Sequence, residues 1–182
     1  YVLSTRIVAS ADGRELVALR ETASDESEVI PAIDRLSKRL RERVGESLKS
    51  LNNTDPLEQV STSSLEALKK YSQAVRLDDN GGDPVLAVQL MEEAVAADST
   101  FAMAWRKKGV VLENTFTDPA GSIAAVQRAY DLRQRLPERE RLITTAYYHG
   151  GVVRDRKAQI AAYEELLQRW PDDLTALNNV AI

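Results

Sequence analysis

His149 is the residue most able to do acid–base chemistry at neutral pH: it follows Tyr147 and Tyr148 and precedes Gly150-Gly151. Hydrolysis through it needs a nucleophile converging on the imidazole, and no nucleophile pattern stands nearby in sequence. The plainer reading is a surface or groove histidine, and a hydrolase using His149 is kept as a hypothesis to test. The acidic pairs Glu92-Glu93, Glu164-Glu165 and Asp172-Asp173 are adjacent, so on a helix they diverge and read as solvated charges rather than a shared carboxylate site. Gly81-Gly82 lacks the Lys-Ser/Thr of a phosphate loop and reads as a turn. Cysteine is absent and His149 is the single histidine. Thiol catalysis, disulfides, cysteine-ligated zinc and multi-histidine metal centres therefore fall away. No catalytic residue, cofactor or metal is expected.

Charge narrows the partners. The 182 residues carry 24 Lys and Arg against 28 Asp and Glu, a formal charge of -4, which opposes the concentrated positive field that nucleic acid requires. No apolar run approaches the roughly 18 to 20 residues of a membrane span, and Tyr1 opens without the basic start and apolar run of a signal peptide. The expected partner is a protein or peptide.

The elements that must position any site differ along the chain. Tyr1–Ser10 and Glu15–Thr22 are rich in Val, Leu, Ile and Thr and flank Ala11-Asp12-Gly13-Arg14, where Asp-Gly supplies a tight hairpin turn. Leu3, Thr5 and Ile7 alternate with polar neighbours as in a half-buried strand, whereas Leu16-Val17-Ala18-Leu19 predicts cover on both faces. Val29, Ile33, Leu36, Leu40, Val44, Leu48 and Leu51 then form one apolar helical stripe. Asp25 or Ser27 caps its start near residues 27–30, with Pro31 in the first turn. The polar face carries Arg35, Lys38, Arg39, Arg41, Arg43 and Lys49: a solvated face, or a patch for an anionic partner or membrane surface. Asn52 to Pro56 ends the helix, and helices follow to the C-terminus.

These later helices repeat. Ala87-x3-Met91-x2-Ala94, Ser122-x3-Val126-x2-Ala129 and Gln159-x3-Tyr163-x2-Leu166 recur after 35 and 37 residues. Between them lie Trp105-x2-Lys108-Gly109-x2-Leu112 and a closing Trp170-Pro171-Asp172-Asp173. Small residues such as Gly109, Ala94 and Ala129 let two helices approach, and Trp105 or Tyr163 fills the adjoining space. Period and residue types resemble the tetratricopeptide repeat, a helix-turn-helix unit of about 34 residues. The resemblance covers about residues 61–182 and implies a mostly α chain: a helical solenoid of about three repeats, with Leu177 to Ala181 opening a fourth. Residues 1–51 read as a hairpin and helix from a partial α/β domain, and residues 52–60 as a linker.

A narrower resemblance covers the order of elements. The hairpin, the basic helix with Asp34-Arg35-Leu36-Ser37-Lys38-Arg39-Leu40-Arg41, then Thr62 to Leu68, Pro137 to Arg141 and Tyr163 to Leu167 are similar to the region after the catalytic domain in bacterial membrane-anchored serine/threonine protein kinases. In that family a small α/β domain similar to the amino-terminal domain of TolB precedes tetratricopeptide repeats. The resemblance implies a sensing or protein-interaction role on the extracytoplasmic side of a bacterial inner membrane. None of the kinase's own phosphate-loop, catalytic-loop or metal-site motifs is in this sequence. With the second repeat in register, Met103, Arg106, Val110, Glu113 and Asn114 face a peptide groove that Thr144 and Tyr148 continue. Two alternatives stand beside it: repeats that merely support the neighbouring domain, and a self-association module forming a homo-oligomer through the hairpin edge.

Overall fold

The computed structural model describes residues 1–45 and 56–180. The chain is mostly helical with an N-terminal antiparallel hairpin, and divides into two compact units, Tyr1–Leu65 and Glu66–Ile182. No helix among the described residues is long and apolar enough to cross a membrane.

In the first unit β1 (Val2–Val8) pairs with β2 (Glu15–Thr22), Val2 opposite Thr22 and Ile7 opposite Val17. Gly13 takes φ 72°, Asp12 accepts from the Arg14 N–H at 3.0 Å, and the register shifts between Ile7 and Val8. A positive φ at the turn is where glycine costs least, as the Asp-Gly signal predicts. Leu3, Thr5 and Ile7 turn inward with Val17 and Leu19. The expectation of cover on both faces of β2 is corrected. Leu16 is 53% exposed, and Val2 and Val8 of the same outer face are also exposed, because the two strands alternate and one helix covers one face.

That helix is α1 (Val29–Arg43). Asp25 organises the preceding turn by accepting from the Ser27 and Glu28 N–H groups at 3.0 and 3.3 Å, and its hydrogen bond from the Ser27 hydroxyl holds its carboxyl below the ordinary range. Pro31 is the third helical residue, where its missing N–H has no partner to lose. Val29 and Ala32 bury against Ala23, with Leu3, Ile33 and Leu65 around them. Each large apolar side chain so buried contributes roughly 1.5–3 kcal/mol. Much of the basic face is neutralised within the unit. Arg39 and Arg35 reach Glu21 on β2, Arg39 at 2.6 Å, and Lys38 pairs with Asp34 at 3.3 Å. The Arg39 hydrogen bond, with Arg35 beside it, lowers the Glu21 pKa. Val44, in the apolar stripe by sequence spacing, is 65% exposed, and Gly45 takes φ 91°. Leu48, Lys49 and Leu51 lie outside the described residues. A short α2 (Leu57–Val60) follows Pro56.

The second unit takes up α3 (Leu65–Asp79) from Glu66 onward, then α4 (Pro84–Ala97), α5 (Ala102–Thr115), α6 (Pro119–Asp131), α7 (Glu138–Tyr147), α8 (Arg156–Arg169) and α9 (Leu174–Val180). Each helix packs on its neighbours in sequence. The recurrent positions are the packed ones: Met91, Val126 and Tyr163 are buried, as are Ala94, Ala129 and Leu166, while Gln159 is only half-buried. Gly109 shows why a small residue is needed. A Cβ there would sit 2.6 Å from Val126 Cγ2 and 3.2 Å from the Ser122 carbonyl oxygen, and the Ser122 hydroxyl donates to the Gly109 carbonyl at 2.9 Å. Trp105 is half-buried against the cluster of Ala67, Met91 and Phe101 and donates its indole N–H to Ser99 O at 3.0 Å. Lys108, where the repeat pattern has leucine, lies 5.7 Å from the Trp105 ring centroid and pairs with Glu92 at 3.0 Å.

Candidate functional site: a cleft at the turns between paired helices

The helix pairs are set by their turns. Asp83, Asp118 and Asp155 cap α4, α6 and α8, each carboxylate accepting backbone N–H groups of the first turn. Such a cap stabilises a helix by about 1 kcal/mol. The three caps are spaced by 35 and 37 residues, the same intervals as the packed positions. Just ahead of each cap the chain enters the left-handed region, at Gly81 (φ 67°), Phe116 (φ 55°) and Arg154 (φ 61°). Glycine fits there; for phenylalanine and arginine the same backbone costs roughly 1–2 kcal/mol. Both costly residues border one cleft.

That cleft has two connected parts. One, of about 760 Å³, is lined by Val110, Glu113 and Asn114 of α5, Tyr147 at the end of α7, Gln159 of α8 and Asn179 of α9, with Phe116, Gly150 and Gly151. The other, of about 370 Å³, shares Glu113, Phe116, Gly150 and Gly151 and adds Pro119, Ile123 and Arg154. Gly150-Gly151 belong to a wide π turn, Tyr148–Val153, that follows α7. A Cβ on Gly150 would meet the amide end of the Gln159 side chain at 2.3 Å, a flexible group that can swing aside. Arg156 holds two lining residues from outside, donating to Gln159 Oε1 at 2.9 Å and to the Asn179 carbonyl at 3.3 Å. The wall is therefore partly apolar and partly amide and carboxylate.

Of the seven residues expected to face a groove, Val110, Glu113 and Asn114 meet in this cleft. Met103 instead packs against the Ala67 and Met91 cluster. Arg106 and Thr144 come together, but inside the fold. Arg106 donates to Thr144 Oγ1 at 3.1 Å and to the Glu140 carbonyl at 3.0 Å and pairs with the Glu140 carboxylate; its side chain is 13% exposed and Thr144 is fully buried. The pair joins α5 to α7 and is not available to a ligand. Tyr148 is corrected as well. It stacks on Tyr130 at 3.7 Å, whose ring also carries the Arg133 guanidinium at 3.8 Å. Tyr148 keeps α-helical backbone (φ -63°, ψ -47°) with its N–H on the Thr144 carbonyl, so it lies in line with buried Thr144, and Tyr147 lines the cleft in its place. Burial pushes the Tyr147 phenol up.

His149 lies edge-on to Tyr130 and Tyr148, with centroids 6.5 and 5.6 Å away, and its Nδ1 is buried without a hydrogen-bond partner among the described residues. Asp173, read from sequence as solvated, is buried: it caps α9 through the Ala176 N–H at 3.0 Å and accepts from Arg139 Nε at 2.7 Å. Arg139 also pairs with Glu140, so a chain of charges runs from Arg106 through Glu140 and Arg139 to Asp173. Burial opposes the Arg139 charge, yet Asp173 and Glu140 raise its pKa. Lys107 behaves alike: burial works against it, and Asp78 and Asp79 of α3 overcome that. Both Arg106–Glu140 and Arg139–Asp173 span 34 residues. The 34-residue interval of both pairs was legible in the sequence, as were the recurrence of Asp-Pro at 83–84 and 118–119 and the place of Gln159 in series with Ala87 and Ser122. Phe116, Tyr147 and Asn179 carried no such signal.

No protein-family model matches the chain, and a search of the curated proteins finds no relative.

Proposed function

We propose that this chain is a non-catalytic protein-interaction module of the tetratricopeptide type, its helix pairs nesting in a row and its cleft holding an extended segment of a partner. One observation carries the reading. Cap and packed positions recur together at 35 and 37 residues, the left-handed turn positions at 35 and 38, and ion pairs spanning 34 residues tie α5 to α7 and α7 to α9. Nearest-neighbour ties of this kind are how repeat arrays are built, and such arrays use their exposed grooves for binding. The cleft favours binding over mere support of the neighbouring unit because Val110, Asn114, Tyr147 and Gln159 present apolar surface and hydrogen-bonding groups side by side. By resemblance, the parent protein is a bacterial receptor-like serine/threonine kinase, with this region on the extracytoplasmic side of the inner membrane.

The test is peptide capture from a displayed random library on the full chain, followed by titration of the selected peptides. Val110→Asp places a charge on the cleft wall, one helical turn from Arg106 and with the Arg106 and Glu140 side chains themselves left in place. At least ten-fold weaker binding with an unchanged melting temperature supports the module; unchanged affinity removes the cleft from it. Arg106→Glu is unsuitable, since it would break a buried pair.

A second reading has its own observation. The outer face of the hairpin exposes Val2, Val8 and Leu16, and each strand pairs on one edge only, which suits self-association through strand pairing. A sedimentation coefficient that rises with concentration and returns to that of a monomer on Val8→Lys would favour it.

A further inference from the structure

Three helix pairs make the same left-handed turn before their capping aspartates, and the first makes it with Gly81. The next two make it with Phe116 and Arg154. A stable fold alone would favour glycine at all three positions, so the exceptions call for another cause. Phe116 is 83% exposed, so its ring is not held by packing. Arg154 is exposed too, and forms no ion pair among the described residues. The two side chains border the same hollow, with Ile123 and Pro119 beside the phenyl ring.

Charge says what the hollow accepts. Arg106, Lys107, Lys108, Arg139 and Arg169 of this unit are paired with carboxylates, whereas Arg76, Arg128, Arg133 and Arg135, none of which lines the hollow, show no such pair among the described residues. Arg154 does line the hollow, and it and its chain neighbours Arg156 and Lys157 are exposed with no carboxylate partner among the described residues. The nearby carboxylates of Asp118 and Asp155 are directed to the Gly121 and Ala158 N–H groups, at 2.8 and 3.0 Å. Glu113, on the opposite wall, is suited to accept a backbone N–H from an extended ligand.

We infer that this turn edge is a recognition site for an acidic peptide segment of a partner protein, in which an Asp or Glu engages Arg154 and an adjacent large apolar side chain rests on Phe116 and Ile123. The inference rests on the peptide-binding reading above and adds the chemistry of the ligand.

Glycine substitution separates recognition from folding, because it relieves the backbone while removing the contact. Peptides of 12 residues selected from the displayed library would be sequenced and titrated by fluorescence anisotropy against the wild-type chain, Phe116→Gly and Arg154→Gly. The expected result is enrichment of an acidic residue next to a large apolar one, binding at least ten-fold weaker to each variant, and affinity that falls as salt rises. Melting temperatures of both variants should be unchanged or raised by up to about 4 °C. Selected peptides without acidic residues, or equal affinity for the variants, would overturn the inference; if Val110→Asp still abolished binding, the peptide module would stand without it. A library that yields no binder overturns both. A dimer that forms with rising concentration and is lost in Phe116→Gly would assign the surface to a second copy and overturn the acidic-peptide assignment.

Discussion

Tyr163 fills the centre of the cluster formed by Ile143, Ala146 and Leu166, yet its hydroxyl is buried with no hydrogen-bond partner among the described residues. Burial pushes its phenol well above the ordinary range, and burial also raises those of Tyr71 and Tyr147. The ring supplies the packing and the hydroxyl is a cost, since an unsatisfied buried polar group is unfavourable by about 1–3 kcal/mol. Tyr163→Phe should therefore leave stability unchanged or raise it by about 1 kcal/mol in urea unfolding; a large loss would mean that the hydroxyl is bonded. The sign of the pH effect follows from the direction of the shift. A phenol raised in the folded state contributes stability that is complete below the unfolded value of about 10 and is lost as pH climbs beyond it. Alkaline unfolding should be shallower in the phenylalanine variant.

At the scale of elements, the contact between α5 and α6 depends on one missing methyl group. Gly109→Ala drives a Cβ against Val126 Cγ2 and the Ser122 carbonyl, and overpacking of this kind costs roughly 1–3 kcal/mol. Gly151→Ala, whose added Cβ meets nothing within 4 Å, is the control and should change stability by no more than about 0.5 kcal/mol. If the two substitutions proved equal, the close approach of α5 and α6 would not be what Gly109 provides. The helices themselves were readable, because Asp-Pro caps, Gly-rich breaks and apolar spacing act locally. The hairpin turn was readable for the same reason. Two local readings failed where tertiary packing decides. Val44 belongs to the apolar stripe of α1 by spacing, yet it is 65% exposed; Leu16 has the composition of a covered strand residue and is 53% exposed. Tyr148 failed differently: helical spacing puts it in line with Thr144, and that line packs into the fold, while Tyr147 lines the cleft.

Across the second unit, charges assumed to be solvated do much of the joining. Arg106 was expected in the groove and Asp173 in solvent; both are drawn inside by partners 34 residues away. Sequence inspection weighs a charge against its near neighbours, so a pair separated by a whole repeat is seen only when charges are compared at the repeat interval. The cleft is harder still, because its walls come from α5, the turn after α7, α8 and α9. Val110, Glu113 and Asn114 were found since they share one helix face; Gln159 and Asn179 join them only through packing. The central claim is that these helices form successive units, each stabilised by the one beside it. Native-state hydrogen exchange over residues 66–180, comparing the wild-type chain with Gly109→Ala, tests it most directly. The account predicts opening free energies that fall stepwise from α5 and α6 toward α9, with the substitution lowering protection in α4 to α7 and sparing α9. One opening free energy shared by every helix, lowered equally throughout by the substitution, would contradict it.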